Sequence, residues 1–351
     1  MRVAVLFGGR SGEHEVSLNS AANVMAALAM LPEKYEIAPI GIDREGNWLL
    51  SAEAHQLLSQ GQPLGGYEPS RALNAIGPSS VRPVDVVFPV LHGPYGEDGS
   101  LQGFLEMAGL PYVGCGVLGS ALAMDKVMSK RVLRDQGLPI TDYVWFRSAE
   151  WSPPVRDDVE EVCGYPCFVK PANLGSSVGV SKAHNAAELE TAVQTAARFD
   201  TKIVAERAVP DAREIEVAVL GNDDPQASVP GEIVPSREFY DYAAKYVDGT
   251  SELLIPAQLP LDLAEEIRRL ALKSFQALDC SGMARVDFLL SRASGDLYLN
   301  ELNTIPGFTA ISMYPKLWEA SGLPAEKLVD RLIQLALERH AQRSGLSTAS
   351  E

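Results

Sequence analysis

Basic residues, cysteines and long apolar runs are all in short supply, and each shortage removes a class of function. Lysine and arginine number 30 against 46 acidic residues, for a formal net charge of −16. Such a chain repels phosphodiester backbones and anionic headgroups, so neither nucleic acid nor membrane is an expected partner. A phosphate-bearing ligand must then meet locally gathered Lys and Arg. The four cysteines, Cys115, Cys163, Cys167 and Cys280, show no CxxC spacing. That argues against a zinc ribbon, a redox pair or a disulfide framework and leaves buried, idle thiols. No apolar run approaches the length of a membrane span, and the start of the chain leaves no room for a signal peptide before "VAVLFGG", so a cytoplasmic protein is expected. Internal repeats, heptads and low-complexity tracts are missing as well.

What remains is globular material: 351 residues, 46% hydrophobic and 22% charged, enough for two or three domains with their own cores. The first third alternates "RVAVLFGG", an amphipathic stretch from Val16 to Leu31, "YEIAPIGI", "VDVVFPVLHG" and "SLQGFLEMAGL". That order predicts an α/β unit, a doubly wound parallel sheet covered by helices. From Gln60 to Ser80 the Gly, Pro and Ser content predicts an irregular excursion. A helical pattern from Leu118 to Gln136 stops at Gly137 with Pro139 beyond it. The middle section, with strands "CFVKP", "VGVSKA" and "KIVAERAV" and a helix from Ala186 to Phe199, reads as a small α+β unit. The last section predicts strands at Glu214–Leu220 and Glu232–Val234, a polar loop over Ser236–Ser251, a helix over Leu261–Leu278, a hairpin, closing helices and a frayed tail.

The hairpin "GMARVDFLLSRASGDLYLNELN" alternates its charges. Arg285 and Asp287 share one face of its first strand, and Glu301 and Asn303 one face of its second. Symmetry about Ser294 sets Asp287 opposite Glu301 and Arg285 opposite Asn303. Like charges directly opposed destabilise an antiparallel pair, whereas a Mg2+ ion with Asp, Glu and Asn oxygens would reverse that sign. A solvated outer face is the alternative.

Other segments carry their own chemistry. "FVKPANLGSSVGVSKA" offers Lys170, then a loop with Gly175, Ser176, Ser177 and Gly179 whose N–H groups and hydroxyls suit a triphosphate. It is not a Walker loop, because GxxxxGK[ST] is absent, and a plain hairpin loop is the alternative. "VAVLFGGRSGEHEVS" fails the GxGxxG spacing, and Glu13 would repel a pyrophosphate but suits the ammonium of an amino acid; alternatively Glu13 and Glu15 merely favour a helix start. "LHGPYGEDGSLQG" brings His92, Glu97 and Asp98 to a second loop beyond a strand end, able to line one crevice with the first. Asp98 also serves as a helix cap there. Lys126 and Lys130 lie one turn apart, by default on a solvated basic face. Glu206 and Glu214 stand at strand ends, where a carboxylate can take ribose hydroxyls.

In order along the chain, "GGRSGEHEVSLNS", "LHGPYGEDGSLQG", "SALAMDKVMSK", "FVKPANLGSSVGVSK", "FYDYAAKY", "ARVDF" and "NELNTIPGFT" resemble the D-alanine–D-alanine ligases of the ATP-grasp superfamily, from Val3 to about Trp318. The resemblance implies an N-terminal doubly wound domain over residues 1–122, a central ATP-grasp unit over 123–211 and a C-terminal one over 212–351, with a lid at 236–251. The two α+β units would clamp ATP. It further implies that Asp287, Glu301 and Asn303 hold two Mg2+ ions, with Mn2+ as a substitute. Lys126, Lys170, Lys245 and the loop of Gly175, Ser176 and Ser177 would meet the nucleotide, with Glu206 to Val209 as adenine hinge, Glu214 at the ribose and Phe239 against the base. Glu13 and His92 would hold the first D-alanine, Arg285 and the Gly307 amide the oxyanion, and Ser312 the second carboxylate. Ser176 and Tyr246 would bridge to Glu13 and close the lid. The expected partners are ATP, D-alanine and a second copy in a homodimer. His14 after Glu13 is a small departure from the family pattern.

Such a site needs no side-chain nucleophile: a carboxylate attacks the γ-phosphoryl group, and an amine then attacks the acyl phosphate. The rivals are an ATP-grasp ligase making D-alanyl-D-lactate, a non-catalytic binding module and a nucleotide-dependent dehydrogenase. Tyr246 in the lid favours the dipeptide.

Overall fold

The computed structural model describes residues 1–50, 52–60, 83–234 and 252–347, and three sheets follow one another along them. The first has the order β3-β2-β1-β4, from β1 (Arg2–Gly8), β2 (Glu36–Ile42), β3 (Trp48–Leu50) and β4 (Val86–Pro89). β1 runs parallel to both β2 and β4, while β3 adds an antiparallel edge. Val3 to Phe7 are buried without a break, as expected of a strand covered on both faces. The covering helices are α1 (His14–Ala29), α2 (Ala52–Gln60) and α3 (Ser100–Met107). Strand order reverses at β1, so the loops after β1 and β4 flank one crevice at the carboxyl ends.

The helix expected from Leu118 to Gln136 is two helices, α4 (Val117–Met124) and α5 (Lys126–Asp135). Asp125 breaks the run. Its backbone is extended, and its carboxylate accepts the N–H groups of Val127 and Met128 at 3.1 and 3.0 Å, an N-cap for α5. The expected stop at Gly137 is present, with φ +66°.

The second sheet is antiparallel, in the order β5-β8-β6-β7, from β5 (Tyr143–Arg147), β6 (Cys167–Pro171), β7 (Ser181–Ala183) and β8 (Lys202–Arg207). α6 (Pro153–Cys163) and α7 (Ala186–Ala196) cover one face through Val159, Leu189 and Val193. β5 and α6 add to the elements expected here.

The third sheet runs β12-β11-β9-β13-β14, from β9 (Ala212–Gly221), β11 (Gly231–Val234), β12 (Glu252–Leu254), β13 (Gly282–Ser291) and β14 (Leu297–Asn303), with β10 (Gln226–Ala227) pairing on β9. One face packs Ile215, Val217, Val286 and Phe288 under α8 (Leu261–Ala277). The other face is divided. Its apolar half, with Ala218, Leu220, Ile233 and Met283, lies in the core of α9 (Met313–Ala320) and α10 (Ala325–Ser344). α10 reaches back to the first unit, where Leu328 and Leu332 share a core with Val24 and Leu28 of α1. The remaining half is polar, with Glu216, Arg285 and Asp287.

All four cysteines are buried and free, as expected. Among the described residues no helix is long and apolar enough to cross a membrane. The excursion after Gln60 to Ser80, the loop 236–251 with Phe239, Lys245 and Tyr246, and the end of the tail lie outside the described residues.

Candidate active site

The hairpin places Arg285 opposite Asn303 and Asp287 opposite Glu301, the register expected from symmetry. Beyond that point the pairing shifts: Phe288 faces Leu299, so Asn300 is an extra residue on β14. The bulge decides where Glu301 points. With strict alternation Glu301 would share a face with Leu299, yet Leu299 and Leu302 both enter the core beneath α8, and Glu301 joins Asp287 on the polar face.

On its other side Asp287 faces Glu216 of β9. Three carboxylates therefore stand in a row across three adjacent strands. Arg285 holds Asp287 through two bonds of 2.7 Å and Glu216 at 3.0 Å, and Asn303 donates to Asp287 at 2.9 Å. Lys126, at the start of α5, reaches Glu301 at 3.5 Å and donates to the Leu174 carbonyl at 2.7 Å. Glu216 was not among the expected site residues, because its place in the row depends on pairing between strands some seventy residues apart.

Beside this row the second sheet presents a different ionic group. Glu206, on β8, is buried with Lys170 at 3.1 Å and Lys130 at 3.4 Å. Lys130 is 2% exposed, so the solvated face expected for it is wrong: the α5 turn carrying Lys126 and Lys130 packs onto the sheet. Burial disfavours the Glu206 charge, but Lys130 and Lys170 outweigh it and hold the carboxyl below its ordinary value. Burial likewise lowers Lys130 against the pull of Glu206, whereas for Lys170 the pull of Glu206 and Glu301 overcomes burial and raises it. Glu214 on β9 adds to that pull. Val209 lies in the short link between β8 and β9, that is, between the two sheets.

The loop after β6 reaches the first unit. Ser176 and Ser177 have φ of +50° and +59°, in the left-handed region that side-chain-bearing residues enter at a cost. In that conformation the Ser176 hydroxyl donates to Glu13, which is 8% exposed at the start of α1. Gly93 and Gly175 let both loops close on the same carboxylate, since a Cβ at either would meet Glu13 Oε2 at 2.8 and 3.2 Å. Glu97 accepts the Gly93 N–H at 2.9 Å, and burial, followed by the nearby Glu13, pushes its carboxyl up to about 8. Asp98 accepts the Ser100 N–H at 2.9 Å.

His92 is buried with both ring nitrogens engaged by the protein, Nδ1 at 2.9 Å from the Ile305 carbonyl and Nε2 at 3.3 Å from Ser20 Oγ. Burial lowers its pKa, so it is neutral. At Gly307 a Cβ would lie 2.7 Å from Ser312 Oγ, so a side chain there would displace that hydroxyl. Ser312 itself precedes α9 and bonds Thr309. Residues of all three units meet in one cleft, lined by Glu97, Lys126, Gly175, Glu301 and Asn303.

A cleft of this kind has relatives. The D-ala D-ala ligase N-terminus family matches residues 2–115, and the D-ala D-ala ligase C-terminus family matches residues 132–334. The D-alanine--D-alanine ligase of Thermoanaerobacter sp. (strain X514) is 53% identical over 97% of this chain and 98% of its own. That of Solibacter usitatus is 51% identical over 98% and 97%. Among solved structures, the D-alanine-D-alanine ligase from Coxiella burnetii superposes with a TM-score of 0.83 at 37% identity, covering 98% of this chain and 96% of that one. The VanG D-Ala:D-Ser ligase from Enterococcus faecalis gives 0.82 at 36%, covering 96% and 99%. With both halves matched and the alignments running nearly end to end, the chain belongs to the D-alanine–D-alanine ligase family and has its ATP-grasp fold.

Proposed function

We infer that the chain joins two D-alanines into D-alanyl-D-alanine with ATP, through an acyl phosphate, for peptidoglycan precursor synthesis. The observation that carries this reading is the convergence of the three units on one cleft, with a buried carboxylate at one end and paired ionic groups at the other. Glu13 supplies charge for the ammonium of the first D-alanine, and Ser176 ties the phosphate loop to it. Lys170 and Lys126 draw the phosphates of ATP toward the Glu206 side, where ammonium outnumbers carboxylate. Glu214 and the Glu206–Val209 link take the nucleoside.

The donor set at Asp287, Glu301 and Asn303 fits Mg2+, or Mn2+ in its place: all are oxygen ligands, and they form an anionic row. Among the described residues no three His, Cys, Asp or Glu side chains converge closely enough to hold a metal alone, so water and phosphate oxygens would complete the shells. Two such ions would neutralise the crowded phosphate oxygens. Arg285 and the Gly307 N–H stand ready for the oxyanion that forms when the second amine attacks, and Ser312, at the α9 N-terminus, for the second carboxylate. The three lid residues complete the reading without being described.

A D-lactate-using ligase is not favoured, since the relatives at about half identity are named for D-alanine in both positions. The chain is expected in the cytoplasm and as a homodimer, which sedimentation tests. ADP release with D-alanine against L-alanine, with the product weighed, tests the activity. Release only with D-alanine and a dipeptide mass supports it; release without dipeptide overturns it.

A further inference from the structure

Ser20 is 0% exposed, in the middle of α1 on its buried face, one turn after the equally buried Ser17. Its hydroxyl nevertheless has two partners from distant parts of the chain. Phe308 donates its N–H to Ser20 Oγ at 3.1 Å, and His92 Nε2 lies 3.3 Å away. The direction of each bond follows from the atoms. The Ile305 carbonyl can only accept, so the neutral His92 carries its proton on Nδ1 and donates it there at 2.9 Å. Nε2 is then an acceptor, which obliges the Ser20 hydroxyl to donate to it and leaves the Oγ lone pair for Phe308. The relay has a single direction and leaves no polar atom of Ser20 or His92 over.

The relay grips the segment Ile305–Phe308 at both ends, at the Ile305 carbonyl and the Phe308 N–H, and Gly307 lies between them. It fastens this segment of the third unit to α1 and to the loop after β4, both of the first unit. We propose that Ser20 is a positioning residue for the reaction: through His92 and the Phe308 amide it fixes the backbone that aims the Gly307 N–H at the developing oxyanion. On this view His92 holds protein backbone and does not touch D-alanine. The catalytic half of the proposal rests on the ligase reading above and on the role given there to Gly307.

The consequence is selective. Phosphoryl transfer to the first D-alanine does not use the Gly307 N–H, whereas collapse of the acyl phosphate onto the second amine does. An acyl phosphate that is not captured takes up water and returns D-alanine and phosphate, so ADP is formed without dipeptide. Ser20→Ala removes the hydroxyl and no other group. Loss of one buried hydrogen-bonding hydroxyl corresponds to about a tenfold fall in kcat for dipeptide formation. KM for ATP is expected to stay unchanged, and the ratio of ADP to dipeptide to rise above one.

Two measurements on the full chain decide it. Amide hydrogen exchange of the ligand-free protein reads the relay directly: in Ser20→Ala the Phe308 amide should exchange faster while the amides of β1 keep their protection. ADP and dipeptide counted in the same reaction read its catalytic use. His92→Asn, which keeps a donor near the Nδ1 position and removes the Nε2 acceptor, should give the same two signatures and serves if Ser20→Ala does not fold. Phe308 exchange at the wild-type rate overturns the relay. Faster exchange with ADP and dipeptide still equal overturns its catalytic use. Wild-type protein that makes no dipeptide would overturn the ligase reading instead, and the exchange result would stand apart from it.

Discussion

Glu206 and Glu301 are both strand glutamates paired to lysines of the same helix, yet they sit among different charges. Glu206 is one carboxylate between two ammoniums, Lys130 and Lys170; Glu206 and Lys130 are buried and the Lys170 side chain is 13% exposed. Glu301 belongs to a row of three carboxylates, in which Arg285 pairs with Asp287 and Glu216 and Lys126 pairs with Glu301. In the first group ammonium surrounds a single carboxylate; in the second, carboxylates gather on one face. A nucleotide triphosphate suits one, a divalent cation suits the other, and MgATP carries both. The two groups teach that the same residue type meets different charge surroundings a short distance apart, a counter-ion among lysines in one place and a neighbour of other carboxylates in the other.

The largest effect should appear when that difference is tested by one substitution made twice. Glu206→Gln leaves the buried Lys130 ammonium without its anion, and breaking a buried pair in this way costs about 3–5 kcal/mol. Glu301→Gln removes a partly exposed pair worth at most about 1 kcal/mol and relieves repulsion from Asp287. Urea unfolding of the ligand-free variants should therefore show a large loss for the first and little change for the second. Equal losses would remove the distinction.

Activity should reverse the ranking for Glu301. Glu301→Gln keeps the shape but removes charge from the inferred cation site, and dipeptide formation should fall by about a hundredfold or more, the scale of losing one preorganised electrostatic contact. Steady-state turnover at ordinary Mg2+ checks it, and unimpaired turnover would break the metal assignment.

Much of the anionic row was legible in the sequence. Strand alternation alone put Asp287 against Glu301 and Arg285 against Asn303, because a tight hairpin fixes register locally. The parallel sheet and its crevice followed from the order of strands and helices. What was not legible depends on long-range pairing. Glu216 enters the row only through β9. Lys130 is a lysine one turn from another, and nothing local says that its face meets a sheet. The Asn300 bulge hides behind an apparent symmetry about Ser294, although Leu299 and Leu302, three apart on a strand and both apolar, hold the signal for it. Asp125 reads equally well as a surface helix residue or as a cap between two helices.

A smaller effect concerns the third ionic feature of the cleft, Glu97. Its folded pKa of about 8, set by burial and then by Glu13, lies above the unfolded value. The folded state thus binds more protons than the unfolded state between the ordinary carboxylate range and pH 8, so this group makes stability fall as pH rises through that window. Glu97→Gln keeps an acceptor for the Gly93 N–H and removes the titration. Thermal unfolding from pH 5 to 9 should show a shallower decline for the variant than for the wild type, and parallel curves would contradict the assignment.

The measurement that bears most directly on the cleft is thermal unfolding of the wild type with Mg2+ alone, with ATP alone and with both. Carboxylates that repel one another without a cation, beside lysines that attract phosphate, should make the shift with both ligands exceed the sum of the separate shifts, and Glu301→Gln should lose most of that excess. Additive shifts in the wild type, or an excess that survives intact in Glu301→Gln, would contradict a shared nucleotide and cation site on this row.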